Sequence, residues 1–357
     1  MRLRSIASIA LVGGTTVALI VFASSVVAGQ GSSSAGRKPS SLREAYKAPR
    51  TPDGQPDLQG VWSNNSITPL ERPPEFGEKA ILSDKDVSQL KKRAQDLLDS
   101  SQAGEIIGDS LIRKALADPN YNNGFDKDTG NYNSFWIADR DWSDRRTSLI
   151  IDPPNGRLPP ATPEAQQRRQ AAAAYRREHG FDGPEDLELG HRCLAFGSPR
   201  LAAGYNSYYQ IVQNRDYVAF VSEMAHDARI IPLDGRPHLP QDVRQWLGDS
   251  RGHWDGNMLV VETTNYRAKG NFMGSTGNLK IVERFTRVAP DTLKYEVTAD
   301  DSQTWAKPWT AVLLLRKTTE SLYEYACHEG NESVMGALSG ARARERAAQG
   351  TAKKESK

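Results

Sequence analysis

The feature that most constrains this chain is a succession of short β-rich runs from about Leu201 onward: YYQIVQ, YVAFVSEM, ARIIPL, MLVVETTNY, LKIVERFTRV, TLKYEVTA, TAVLLLRK and SLYEYACHE. Turn formers separate them at hairpin-like spacing, among them Asn214-Arg215-Asp216, Asp234-Gly235, Asp255-Gly256-Asn257, Pro290-Asp291 and Thr318-Thr319-Glu320. Sequential antiparallel strands leave two exposed edges unless the sheet closes, and about eight closed strands leave room for one small ligand. The expected fold is mainly β with N-terminal helices: an antiparallel up-and-down β-barrel, lipocalin-like, over residues 191–335. A two-sheet β-sandwich is the alternative.

Upstream, residues 1–28 begin MRLR, continue through an apolar stretch from Ile6 to Val27 and end Val26-Val27-Ala28, the pattern of a cleaved export signal. An uncleaved anchor is the rival reading, weakened by Gly13, Gly14, Thr15 and Thr16. The expected location is periplasmic or secreted, with no membrane attachment after cleavage. An oxidising compartment then makes a disulfide of the two cysteines, Cys193 and Cys327, rather than a thiolate nucleophile of either. Removing Arg2 and Arg4 with the leader leaves 44 basic against 44 acidic residues, a balance that excludes a general nucleic-acid binder.

Residues 29–49 are rich in Ser, Gly, Lys and Arg and read as a flexible linker. Residues 50–190 read as a Pro-rich, extended and helical region packed on the barrel, and 336–357 as a polar C-terminal tail, a frayed helix or free end. One helix begins after Ser83, with Asp86 completing a capping box. A second begins at Thr162-Pro163 and ends before Gly180, its four alanines read as a close-packing stripe. Between them, Asp126 to Pro160 mixes charges with Phe135, Trp136 and Trp142 without period, as functional loops and packed loops both do.

RTPDGQPDLQGVW, RRTSLIIDPPNGRLPP, HDARIIPLDGRPHLP, WDGNMLVVETTNY, ERFTRV and YEYACHEGN together resemble a family of exported bacterial proteins, over about Arg50 to Ala341. The resemblance implies an export signal and a β-rich C-terminal half. It implies no activity, so function rests on the residues.

Alternation along Leu322–Glu329 places Glu324 and His328 on one face, either lining a barrel interior as an acid–base pair or facing solvent at a strand end. Glu223, His226, Asp227 and Arg229 form a dense ionisable cluster beside an apolar run. There His226 exchanges a proton, Asp227 or Glu223 orients it and Arg229 binds an oxyanion or carboxylate. Glu262, Glu283 and Arg284 interrupt apolar strands, as an internal ion network around a ligand or, better supported by alternation, as the wet outer face. Trp305 and Trp309 suit a cavity rim, with core packing the first reading.

No metal-ligand spacing, nucleotide-binding or flavin motif, or nucleophile elbow occurs, so no cofactor is implied. The expected partner is a small organic molecule. The expected function is an exported enzyme of proton-transfer chemistry, a lyase, isomerase or hydrolase, using His328, Glu324, His226 and Asp227; the alternative is a non-catalytic carrier with the same cavity.

Overall fold

The computed structural model describes residues 46–98, 140–201, 206–268 and 272–355. The expected leader at 1–28, nearly all of the linker at 29–49, and Phe135 and Trp136 lie outside the described residues.

Ten strands make one sheet: β1 (Gly60–Ser63), β2 (Ile150–Asp152), β3 (Tyr208–Gln213), β4 (Tyr217–Ser222), β5 (Ala228–Pro232), β6 (Asp249–Asp255), β7 (Met258–Thr264), β8 (Lys280–Ala289), β9 (Thr292–Asp300) and β10 (Trp309–Thr318). Alternation drives the burial. Ile281, Glu283, Phe285 and Arg287 of β8 point inward and are buried, as are Leu293, Tyr295, Val297 and Ala299 of β9. The apolar ones among them form one continuous core with Trp62, Phe220, Val261, Trp309 and Leu313.

The hydrogen-bonded order is β5-β4-β3-β1-β10-β9-β8-β7-β6, every ladder antiparallel, with β2 added to β10. Strand β1 thus sits between the first and last strands of a meander running from β3 to β10. Nine strands of alternating direction bring the two ends of the order together pointing the same way, and β5 and β6 lie side by side without a ladder. Side chains fill this seam instead: a Cβ on Gly252 of β6 would lie 2.8 Å from Leu233 and 2.9 Å from Ile231. The fold is mainly antiparallel β with few helices, as expected, but the sheet is not closed.

Two expectations about strands are corrected. SLYEYACHE forms no strand: the last strand is β10, and residues 321–331 run as irregular chain and turn, tied down by the disulfide. In its place β6 appears in DSRGHWD, whose inward positions Ser250, Gly252 and Trp254 carry little apolar signal.

The Pro-rich segment Arg50–Leu58 plugs one end of the sheet by binding two of its turns and the end of β8. Arg50 Nη2 donates to Asn257 Oδ1 (2.7 Å), Gln55 Nε2 to the Arg215 carbonyl (3.2 Å), and Arg287 Nη1 to the Asp57 carbonyl (3.1 Å). Gln213 fixes the exit of the plug, accepting from the Leu58 amide at 2.8 Å and donating to the Pro56 carbonyl at 3.0 Å. Leu58 and Trp62 are fully buried behind it.

Helix α1 (Asp84–Leu98) starts on the expected reciprocal cap, the Asp86 amide donating to Ser83 Oγ at 3.2 Å and the Ser83 amide to Asp86 Oδ2 at 2.8 Å. The Ser83 hydroxyl, donating to Asp86 Oδ2 at 2.6 Å, then the Ser83 amide and Lys79 hold the Asp86 carboxyl down at about 2. Helix α2 (Pro163–His179) is capped by Thr162 Oγ1, which accepts from the Ala165 amide. Its alanine run is not a packing stripe: Ala171 and Ala172 are exposed, and Ala165 is the buried residue of the helix. The expected C-terminal tail is helical, α3 (Glu332–Glu355), with Arg342 donating to the Phe181 and Asp182 carbonyls. Among the described residues no helix is long and apolar enough to cross a membrane.

Candidate functional site

At the end of the sheet opposite the plug, the turn from β4 to β5 carries Glu223, His226 and Asp227. Ala225 (φ 54°) and His226 (φ 46°) are consecutive residues in the left-handed region, which for residues with a Cβ costs about 1–2 kcal/mol each. This sharp reversal leaves His226 in solvent and turns Asp227 back toward the 196–200 segment, where its Oδ2 accepts from the Phe196 amide at 3.1 Å. Glu223 is buried, with Asn206 Nδ2 donating to its Oε1 at 2.6 Å and the Tyr323 backbone amide facing it.

The opposing wall is Gly197–Arg200, held from behind by the disulfide between Cys193 and Cys327. Around it Tyr325 meets Phe196 edge-on at 5.9 Å, and Asn331 Nδ2 donates to the His191 carbonyl at 2.8 Å. The floor is Tyr209, Phe220, Arg229 and Tyr295, and Ser222, Asp227 and Leu247 complete the lining. The cavity volume is about 20 Å³, room for a water or two, or for one small polar group.

Below the floor lies a buried ion pair. Arg229 meets Glu283 in a two-pronged contact, Nη1 to Oε2 at 2.5 Å and Nη2 to Oε1 at 2.8 Å, and Tyr295 Oη donates to Glu283 Oε1 at 2.5 Å. Phe220 lies under the guanidinium at 5.4 Å, and Phe285 stacks on Tyr295 at 4.5 Å. Burial works against the charge of Arg229, but the Glu283 carboxylate outweighs it and keeps the guanidinium protonated. Burial first, and then Glu283, push the Tyr295 and Tyr266 hydroxyls up, so both keep their protons. Burial also raises the Asp227 and Glu223 carboxyls, against the hydrogen bonds each accepts and the nearby Arg200.

Of the residues singled out from sequence, Arg229 and Asp227 line the cavity, and Glu283 sits one layer beneath. An internal ion pair does form around Glu283, but its partner is Arg229. Glu262 and Arg284 face outward, Glu262 to Lys280 and His238 (3.5 Å) and Arg284 to Thr298 (3.3 Å). Trp305 and Trp309 are core: they pack edge-on at 5.7 Å, with Phe272 stacked on Trp309 at 5.9 Å. Glu324 and His328 stand exposed on irregular chain, where no barrel interior faces them. The cavity residues that alternation and charge clustering passed over are Arg200, Tyr209, Ser222 and Tyr295. Tyr295 was within reach, since it occupies an inward position of TLKYEVTA.

No family model matches the chain, and no curated protein matches it. Two crystal structures, both of mutants of the fluorescent protein UnaG, are similar over 32% of this chain and 72% of theirs, at 17% identity and a TM-score of 0.20. At that level of likeness the fold rests on its own strand order.

Proposed function

We propose that the protein is an exported, non-catalytic binding protein for a small organic ligand, built on a lipocalin-like up-and-down barrel that is plugged at one end and receives its ligand at the other. The supporting observation is the convergence of Arg200, Ser222, Asp227 and Arg229 on one cavity, while Glu324, His328 and His226 stand in solvent. Fixed polar groups around a small recess suit orientation of a ligand. The disulfide fits a protein that matures outside the cytosol. A lyase, isomerase or hydrolase reading keeps one observation in its favour: Asp227, a cavity carboxyl raised by burial, is the group there best suited to exchange a proton.

Native mass spectrometry of the mature, disulfide-bonded protein, compared with the denatured chain, tests the proposal. The expected result is a retained organic mass that leaves chemically unchanged and returns on re-addition. A chain with no retained mass, whose melting temperature no compound of a broad small-molecule panel raises, overturns binding. Recovery of a bound compound as product, with turnover lost in Asp227→Asn, overturns the non-catalytic half of the reading.

A further inference from the structure

Taking the binding reading as its basis, we infer that the cavity wall Phe196–Pro199 is a strap that lifts to admit the ligand, held shut by side-chain hydrogen bonds from Asp227 and Tyr266. Size calls for a wall that moves. Pockets that enclose organic ligands hold about 300–1,000 Å³. This cavity holds about 20 Å³, so a ligand enters only if one side gives way.

The floor is the side that stays. Tyr209, Phe220, Arg229 and Tyr295 are buried, Phe220 packs between Tyr209 at 5.1 Å and Phe285 at 5.5 Å, and Arg229 is paired to Glu283 on β8. These side chains stand on β3, β4, β5 and β9, inside continuous antiparallel ladders that a sinking floor would have to break.

The wall is built differently. Among the described residues no backbone–backbone hydrogen bond reaches Ala195–Pro199. Its two ends are fixed: the disulfide holds Cys193, and at Arg200 the carbonyl accepts from Tyr209 Oη at 2.9 Å while Nη1 donates to the Asn206 carbonyl at 3.2 Å. Between those ends the body of the protein grips the strap at two polar points. The Phe196 amide donates to Asp227 Oδ2 at 3.1 Å, and Tyr266 Oη donates to the Ser198 carbonyl at 3.3 Å. Pro199 is the one buried residue of the four, so lifting the strap uncovers a single apolar side chain. Gly197 supplies a joint, with φ at +83° and nothing within 4 Å of where a Cβ would stand. Because Asp227 also lines the cavity, the carboxyl that releases the Phe196 amide is turned toward the entering ligand, and latch and ligand contact are one group.

Thiol labelling tests this. In the full mature chain carrying Ser222→Cys, a lining position on β4, N-ethylmaleimide should reach residue 222 through openings of the strap, with peptide mapping to count label at that position alone. Asp227→Ala and Tyr266→Phe each remove one tie and should each speed the labelling roughly fivefold, the worth of one hydrogen bond. Tyr266→Phe carries the test if Asp227→Ala fails to fold. Gln213→Ala, which weakens the fold at the plugged end, should leave the rate unchanged. If it speeds labelling as much as the tie variants do, residue 222 is reached by global unfolding and the strap is refuted. A rate that neither tie variant moves refutes it as well, and leaves the binding reading to native mass spectrometry. Labelling that responds to the ties, in a protein that retains and binds no compound, keeps the strap and removes the binding reading.

Discussion

The two ends of the sheet are built from similar residues and finished differently. At the plugged end, the polar groups that turn inward meet backbone: Gln213 is satisfied by Leu58 and Pro56, and Arg287 by the Asp57 and Pro290 carbonyls. At the cavity end, Asp227 and Glu223 are drawn out of water, and desolvation outweighs their hydrogen bonds, so their carboxyls rise. At the plugged end the Gln213 amide finds both of its partners within the chain. The other end keeps two carboxyls that burial raises, and that difference is what marks it as the candidate site.

The comparison can be broken most forcefully at the buried Arg229–Glu283 pair beneath the cavity. Glu283→Ala leaves Arg229 charged and buried without a carboxylate, and should cost about 3–5 kcal/mol in chemical denaturation. Replacing Arg229 and Glu283 together by Met and Leu should recover most of that loss; a double variant as unstable as the single one refutes the ion-pair account. Of comparable size is the clamp behind the cavity wall. Cys193→Ser with Cys327→Ser opens a loop of 134 residues and should cost about 4–5 kcal/mol by chain entropy, read as a lower denaturation midpoint with the plugged end's amides still protected.

At the plugged end, Gln213→Ala strands the buried Leu58 amide and should cost about 1–3 kcal/mol without altering any ligand affinity. A change in ligand affinity would show that the two ends are coupled. The smallest effect is Glu223→Gln. Because the folded state raises the Glu223 carboxyl above its unfolded value, its favourable contribution is full below the unfolded pKa and is lost as pH rises through the folded one. The Gln variant should therefore melt higher than the parent near neutral pH and show a flatter melting profile toward acid. A steeper profile would contradict the assigned direction.

Much of the sheet was legible because β3, β4, β5, β7, β8 and β9 alternate in burial, β10 is a continuous apolar run, and turn residues separate them. The Leu322–Glu329 segment shows why alternation alone misleads: it has the pattern of a strand, yet Cys327 ties it to Cys193 and it pairs with no strand of the sheet. Strand β6 failed in the opposite way, since Gly252 is buried to make room for Ile231 and Leu233, a cause that lies on another strand. The site was half legible for the same reason. Clustering flagged Asp227 and Arg229, but Arg229 and Glu283 are 54 residues apart, and only strand order brings them together. His328 and Glu324 carried suitable chemistry on a segment with no interior to face.

The place of β1 between β3 and β10 has a consequence for how the chain is made. Val61 pairs with Thr318 at the far end of the meander, so the first strand to emerge during synthesis is the last to find both neighbours. Until then Trp62 lacks the β10 wall it lies against in the folded chain. Its pairing with β10 waits until residue 318 has been delivered.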